Sequence, residues 1–164
     1  MKDINQPLTE EIDLEILRIL SQDGRESYHK ISTELNKSPV TIKKHVELLE
    51  EKKIIKNYGV RIDYEKLSYN IIAIIEVTIS KGKMIDVEKE IAQNPNVFGV
   101  YDITGNYDAL IFARFKTRPE LSAMIKNLHA SPNVERTNTH LILNIIKEGS
   151  SFSELMDKER NTNK

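Results

Sequence analysis

The sequence of 164 residues contains no cysteine and no tryptophan. The absence of cysteine excludes disulfide bonds, thiolate catalysis and cysteine-ligated zinc. The sequence also has no run of 18 apolar residues and no signal-like N-terminus, so it predicts a cytoplasmic protein with no membrane contact.

An overall excess of charge of either sign is also absent. The chain has 24 basic and 25 acidic residues, for a net charge of −1, so composition alone does not point to nucleic acid. From Lys37 to Arg61, however, seven basic residues stand against three acidic ones, a local excess of +4. Any argument for nucleic-acid binding must therefore rest on this segment.

Apolar side chains recur at helical spacing in three segments between residues 8 and 53. The first has Thr9 as its predicted N-cap and ends at Asp23-Gly24. Ser27 is the predicted cap of the second. Ser38-Pro39 starts the third, with a hydroxyl cap followed by proline at the first helical position. Three helices, the last two joined by a short turn, predict a helix-turn-helix unit.

The exposed face of the third helix carries basic and hydroxyl side chains, which suit phosphate and base-edge contacts in a major groove. We predict that six residues of this segment contact double-stranded DNA: Ser38, Val40, Thr41, Lys43, Lys44 and His45. The alternative is an ordinary solvated face in a chain that is rich in lysine throughout.

The spacing of apolar residues changes after residue 54, and the following stretch is typical of a short hairpin or an extended linker. From residue 70 the pattern is strand, helix, strand, strand, helix, strand. An amphipathic tail closes the chain, and its polar end, Asn161 to Lys164, is expected to fray. The predicted parts are a helix-turn-helix domain, a linker or hairpin, an effector-binding and oligomerisation domain and a tail, at residues 1–54, 55–69, 70–147 and 148–164 respectively.

The second domain contains an internal repeat. Asn94-Pro95-Asn96-Val97 returns 37 residues later as Ser131-Pro132-Asn133-Val134, each time after a helical segment. Two copies of a β-α-β unit predict the ferredoxin-like βαββαβ plan, and an α+β fold overall. Right-handed crossovers place the first and third strands in the centre of the sheet.

One face of this sheet is predicted to need a partner. The central strands are apolar on both faces, whereas two helices can cover only one face. A second subunit is the simplest cover for the other face, so the sequence predicts a homodimer.

The segment from Val97 to Phe115 reads as strand, tight turn, strand. Gly105 and Asn106 tolerate the positive φ values that hairpin turns require. The turn Gly105 to Asp108 is either a simple reversal or one wall of a binding site.

These motifs together resemble the Lrp/AsnC family, the feast/famine regulators. The features that carry the resemblance are the Asp23-Gly24-Arg25 helix end, the Ser38-Pro39-x-Thr41-Ile42 start of the third helix, the βαββαβ unit and the Thr-Gly-x-Tyr-Asp turn. The resemblance implies a transcriptional regulator that binds DNA as a dimer and assembles into tetramers or octamers. It also implies an amino-acid effector held between subunits at the Gly-x-Tyr-Asp turn.

The resemblance carries over to Gly105, Tyr107 and Asp108 in the turn and to Thr137 and Thr139 on the last strand. The full set of predicted effector-binding residues is Tyr101, Gly105, Asn106, Tyr107, Asp108, Thr137 and Thr139. Backbone N–H groups of the turn suit the carboxylate of an amino acid, and Asp108 or hydroxyls suit its ammonium. Alternatively, Asp108 caps its own turn, and the threonines are simply good strand residues.

Two other functions remain open on the sequence alone. Siroheme decarboxylases resemble the same two-domain plan, and their chemistry would call for histidines around a tetrapyrrole. The four histidines, His29, His45, His129 and His140, form no catalytic or metal-binding spacing, so we predict a non-enzyme without metal or cofactor. The third possibility is a DNA-silent protein that only co-assembles with relatives.

Overall fold

The computed structural model describes residues 9–80, 82–149 and 151–162. The chain divides into two compact units. One joins the residues up to Arg61 with those from Glu148 onward, and the other spans Ile62–Lys147. None of the described helices is both long enough and apolar enough to cross a membrane.

The first unit is helical. Its helices are α1 Glu11–Gln22, α2 Tyr28–Glu34, α3 Pro39–Glu51 and, at the other end of the chain, α6 Phe152–Thr162. Helices α1 to α3 bury a common core that includes Ile16, Ile31, Ile42, Val46 and Leu49. The helical spacing of apolar residues in the sequence therefore correctly predicted the buried faces of these helices.

Local signals set the ends of these helices. The Ser27 hydroxyl accepts a hydrogen bond from the Lys30 N–H, and Ser38 accepts one from the Thr41 N–H, as the capping predictions require. Asn36 takes a left-handed conformation with φ of 51° in the turn between α2 and α3. Three short polar side chains thus set the starts of α2 and α3 and the turn between them.

The predicted Thr9 cap is wrong. Glu10 is the N-cap of α1, and its backbone N–H donates to the Asp13 carboxylate over 2.8 Å. The Asp13 carboxylate faces back toward the helix start and satisfies an N–H that would otherwise have no partner.

The linker and the tail also differ from expectation. Residues 54–63 form neither helix nor strand, so of the two predicted alternatives the hairpin is absent and the extended form is present. A single 3-10 turn, Glu65–Leu67, follows. The tail is helical through Thr162, so the predicted fraying is wrong for Asn161 and Thr162, while Asn163 and Lys164 lie outside the described residues. Helix α6 packs on α1, buries Met156 and pairs Arg160 with Glu15.

The second unit is the predicted βαββαβ sandwich. Its elements are β1 Ile71–Ile79, α4 Met84–Ile91, β2 Val97–Asp102, β3 Ala109–Phe115, α5 Arg118–Ala130 and β4 Val134–Leu141. The antiparallel sheet has the order β2-β3-β1-β4, so the first and third strands are central, as predicted.

Helices α4 and α5 pack against only one face of the sheet. Ala73, Ile75 and Val77 of β1 lie in a buried core with side chains of α4 and α5. The opposite face carries Ile74 on β1 and its cross-strand partner Phe112 on β3, neither of which is fully buried. We call this second face the open face; on it, β2 presents the exposed rings of Phe98 and Tyr101.

Candidate functional site

The N-terminal half of α3 presents a continuous polar surface. Val40 is 78% exposed, and Lys43 and Lys44 are exposed beside it. Lys43 lies 3.6 Å from the Glu47 carboxylate. Lys44 has no ion-pair partner within the part of the chain that the structure describes, so its charge is available to a ligand.

The hydroxyl groups at the start of α3 are held in place. The Ser38 and Thr41 hydroxyls lie 2.8 Å apart, and the Ser38 oxygen also accepts the Thr41 N–H over 3.0 Å. Both residues sit at the positive end of the helix dipole, where anionic oxygens bind well. Five of the six predicted DNA-contacting residues thus share one surface.

His45 is the exception and requires a correction. Its Nδ1 lies 2.7 Å from Asp13 Oδ1, and its side chain is only 17% exposed. The ring links α3 to α1 instead of facing outward with the lysines. His45 is therefore a residue that positions α3, which the sequence of α3 alone could not reveal, since Asp13 lies 32 residues earlier in the sequence.

The Asp13→Ala variant tests this link. Loss of the Asp13 carboxylate leaves the His45 ring and the Glu10 N–H without their acceptor in a half-buried place. This should lower the free energy of unfolding by about 1–3 kcal/mol. We expect a correspondingly lower free energy of unfolding by urea denaturation. Glu11→Ala, an exposed change in the same helical turn, is the control; equal unfolding free energies for the two variants would contradict the role of Asp13.

The predicted reversal between β2 and β3 is confirmed, but it is a loop of six residues, 103–108, and of the two predicted turn residues only Gly105 has a positive φ. The Ile103 N–H donates to the Asp108 carbonyl over 2.9 Å and closes the loop. Gly105 adopts φ of +126°, and a Cβ placed there would meet no other atom within 4 Å. The glycine is therefore required by its backbone conformation and not by crowding, and the space in front of the turn is open.

Asp108 plays a role that neither alternative included. Its Oδ2 accepts the Ile79 N–H over 2.8 Å, and its own N–H donates to the Val77 carbonyl over 2.9 Å. The pairing of β1 with β4 shifts register between Thr78 and Ile79. The Asp108 side chain thus extends the β1–β3 ladder by one hydrogen bond and fixes the turn to the central strand.

The other predicted effector residues lie in different places. The Tyr107 ring stacks 4.8 Å from the Arg136 guanidinium, next to the turn. Tyr101 lies on the open face, edge-on to Phe112. Thr137 and Thr139 pair with Val77 and Ile75, and therefore face the helix-covered side.

Thr137 is already engaged, because its hydroxyl lies 2.6 Å from His129 Nε2. The structure therefore brings Gly105, Asn106, Tyr107 and Asp108 together in one turn. It leaves Tyr101 and the two threonines on opposite faces of the sheet.

Glu88 on α4 was not predicted from the sequence. Its Oε1 is buried and has no hydrogen-bond partner among the described residues. Burial raises the pKa of the Glu88 carboxyl, and the nearby carboxylates of Asp102 and Asp108 raise it further. No local motif marks Glu88, since the three acids meet only when α4 packs against β2.

The raised pKa makes a testable prediction for Glu88→Gln. A carboxyl whose pKa is higher in the folded than in the unfolded state destabilises the fold once it ionises. The variant should be more stable than wild type at neutral pH, and this gain should shrink as the pH falls through the folded-state pKa. Thermal unfolding from pH 7 down to pH 4 checks this, and a gain that is constant with pH would contradict it.

Three of the four histidine rings lie within hydrogen-bond distance of another side chain: His45 of Asp13, His129 of Thr137 and His140 of Glu76. On the open face Glu76 Oε2 accepts the Asn138 amide over 2.8 Å and lies 3.1 Å from His140 Nε2. These bonds, His140 first, lower the pKa of Glu76. Within the described ranges no three His, Asp or Glu side chains form a group that could hold a metal ion.

Comparison with known proteins agrees with this geometry. Residues 72–152 match the Lrp/AsnC ligand binding domain, and residues 9–56 match a winged helix-turn-helix DNA-binding domain. An HTH-type transcriptional regulator of Pyrococcus abyssi is 36% identical over 141 residues, which cover 86% of this chain and 96% of that protein.

Solved structures show the same fold. E. coli AsnC superposes with a TM-score of 0.83 at 20% identity, over 89% of this chain and 99% of that one. A transcriptional regulator of Neisseria meningitidis, solved in complex with L-Met, gives a TM-score of 0.80 at 24% identity, over 87% and 95%. With a DNA-binding helix-turn-helix domain followed by a ligand-binding domain, the chain belongs to the Lrp/AsnC family of transcriptional regulators.

Proposed function

We propose that this regulator binds an amino acid at the Gly105–Asp108 turn and that the bound effector changes how its dimers assemble on DNA. The observation that carries the proposal is the turn itself: Gly105 holds a φ of +126° in front of open space. A glycine in this conformation leaves the backbone amides of the turn accessible to a carboxylate.

Acidic groups near the turn supply the second half of an amino-acid site. Asp102 and Asp108 lie close enough to Glu88 for their charges to interact with it, and Glu88 has an oxygen without a hydrogen-bond partner among the described residues. An ammonium group placed between these carboxylates would relieve their mutual repulsion. The L-Met complex of the Neisseria regulator supports an amino acid as the ligand class.

The open face supplies the dimer. It carries Ile74, Leu110 and Phe112 in its centre and the exposed rings of Phe98 and Tyr101 at one edge. A second copy of the same face would remove these side chains from water, and a two-fold dimer needs only one such self-complementary surface. Dimers would then associate into tetramers or octamers.

The mechanism is thermodynamic linkage. An effector that binds at a contact between dimers favours the assembly in which that contact exists. The assembly in turn fixes how many helix-turn-helix pairs face the DNA and at what spacing. In this proposal the amino acid acts on DNA binding through the change in assembly.

The experiment is a thermal-shift screen of the twenty amino acids with wild type and with Gly105→Val. An effector at 100 times its dissociation constant should stabilise the wild type by about 2.7 kcal/mol. Valine strains the positive φ and fills the open space, so the variant should lose this stabilisation and its effector-dependent DNA binding while it remains a dimer.

Gly82→Val is the matched control. Gly82 also has a positive φ, of +80°, and a Cβ placed there would likewise meet no other atom within 4 Å. It therefore reports the cost of backbone strain alone. An unchanged effector response in Gly105→Val, or an equal loss in Gly82→Val, would refute the turn as the effector site.

A further inference from the structure

A second cleft lies at the other end of the ligand-binding domain. It has a volume of about 830 Å³ and lies between α5, the start of β1 and the residues that follow β4. The Ile142 N–H donates to the Ile72 carbonyl over 2.9 Å and holds this last segment against β1. A cleft of this size is within the range of small-molecule sites, about 300–1,000 Å³.

The cleft is separate from the Gly105–Asp108 turn. β1 begins at the cleft with Ile71 and ends at Ile79, whose N–H is bonded to Asp108. A strand of nine residues rises about 3.3 Å per residue, which puts about 26 Å between the two places. A ligand in the cleft therefore makes no contact with the proposed effector site.

The lining combines an apolar stripe with a basic one. Leu121 and Ile125 are one helical turn apart on α5, and Leu143, which is 89% exposed, forms the opposite rim. Arg118 and Lys126 lie at i and i+8, about 12 Å apart along the helix, one beyond each end of the apolar stripe.

The charges of the cleft are of one sign. No Asp or Glu lines it, and among the described residues no ion pair involves Arg118 or Lys126. An apolar lining with unpaired cations is complementary to a molecule with an apolar body and an anionic group.

We propose that this cleft binds a small carboxylic acid with an aliphatic or aromatic body. The body lies along Leu121, Ile125 and Leu143, and the carboxylate pairs with Arg118 or Lys126. The site goes beyond the proposed amino-acid effector, because it contains no carboxylate to receive an ammonium group. It would give the regulator a second input of different chemistry.

The test is isothermal titration of the full chain with sodium octanoate below micelle formation, with octan-1-ol as the uncharged partner. We expect saturable binding of octanoate and at least tenfold weaker binding of the alcohol. The Arg118→Gln/Lys126→Gln double variant should weaken octanoate binding at least tenfold. Ser122→Phe, which fills the cleft between the two cations, should remove it.

Controls separate this site from others. Lys89→Gln removes an exposed charge on α4 and should leave octanoate binding unchanged, and Gly105→Val should also bind octanoate as wild type does. Failure of the amino-acid screen with octanoate binding intact would refute only the effector turn. The proposal would be overturned if octanoate does not bind or if octanol binds equally well. It would also be overturned if the double variant dissociates into monomers, since a second copy of the chain would then occupy the cleft.

Discussion

Phe112→Glu should convert the protein to a monomer and weaken its binding to a two-site operator by about 10²- to 10⁴-fold, the range by which linking two modules raises affinity. Phe112 lies in the centre of the open face, opposite Ile74 and against the rings of Phe98 and Tyr101. A glutamate there would bury one unpaired charge from each subunit in the proposed dimer interface.

Analytical ultracentrifugation and DNA binding, measured on the same samples, check this result. Ile85→Glu is the matched control, because Ile85 is 63% exposed on α4 and lies off the open face. Phe112→Leu keeps the apolar surface and should keep the dimer. A dimeric Phe112→Glu protein with wild-type DNA affinity would show that the open face is not the interface, provided its circular dichroism shows a folded chain.

The elements of this fold were predictable because their causes are local. Ser27 and Ser38 cap helices through N–H groups three residues ahead, and apolar spacing identifies buried faces without knowledge of the partner. The strand order followed from the repeat, since crossover handedness leaves few topologies. The βαββαβ plan therefore needed no long-range information beyond the internal repeat.

Side-chain roles that depend on distant partners were not predictable. His45 faces Asp13 from 32 positions away, and the Asp108 carboxylate accepts the N–H of Ile79, which lies 29 positions earlier in the sequence. The tail was expected to fray because its end is polar, and the helix it packs on, α1, lies at the opposite end of the chain. The sequence marked His45, Asp108 and the tail as features of interest, but the contacts that determine their roles form only in the folded chain.

Glu88 illustrates the same point for the site. Its position on α4 carries no motif, and its raised pKa comes from burial and from carboxylates on another element. The turn that carries the resemblance was found from the sequence because glycine and asparagine mark turns, and Gly105 has the positive φ that this prediction required. The acidic side of the proposed site needed the packing of α4 against β2.

Lys44→Ala should weaken DNA binding and flatten its salt dependence. Lys44 is exposed on α3 beside Val40 and has no ion-pair partner among the described residues, so its charge is free to displace a counterion from a phosphate. Each phosphate contact contributes about 0.9 to the slope of log K against log salt concentration. A dimer presents two copies of Lys44, so the slope should fall by about 1.8.

The salt slope distinguishes a direct contact from a folding defect, because a variant that merely unfolds in part loses affinity equally at every salt concentration. Lys89→Ala, which removes an exposed charge from α4, should keep both the affinity and the slope of the wild type. His45→Gln should lower the free energy of unfolding and leave the salt slope unchanged, since the ring bonds to Asp13. Proteins with 6–10 phosphate contacts lose about 10³- to 10⁵-fold of affinity between 50 and 200 mM salt, so this range resolves the expected change. If Lys44→Ala keeps the wild-type slope over this range, then Lys44 does not contact a phosphate and the predicted orientation of α3 on DNA is wrong.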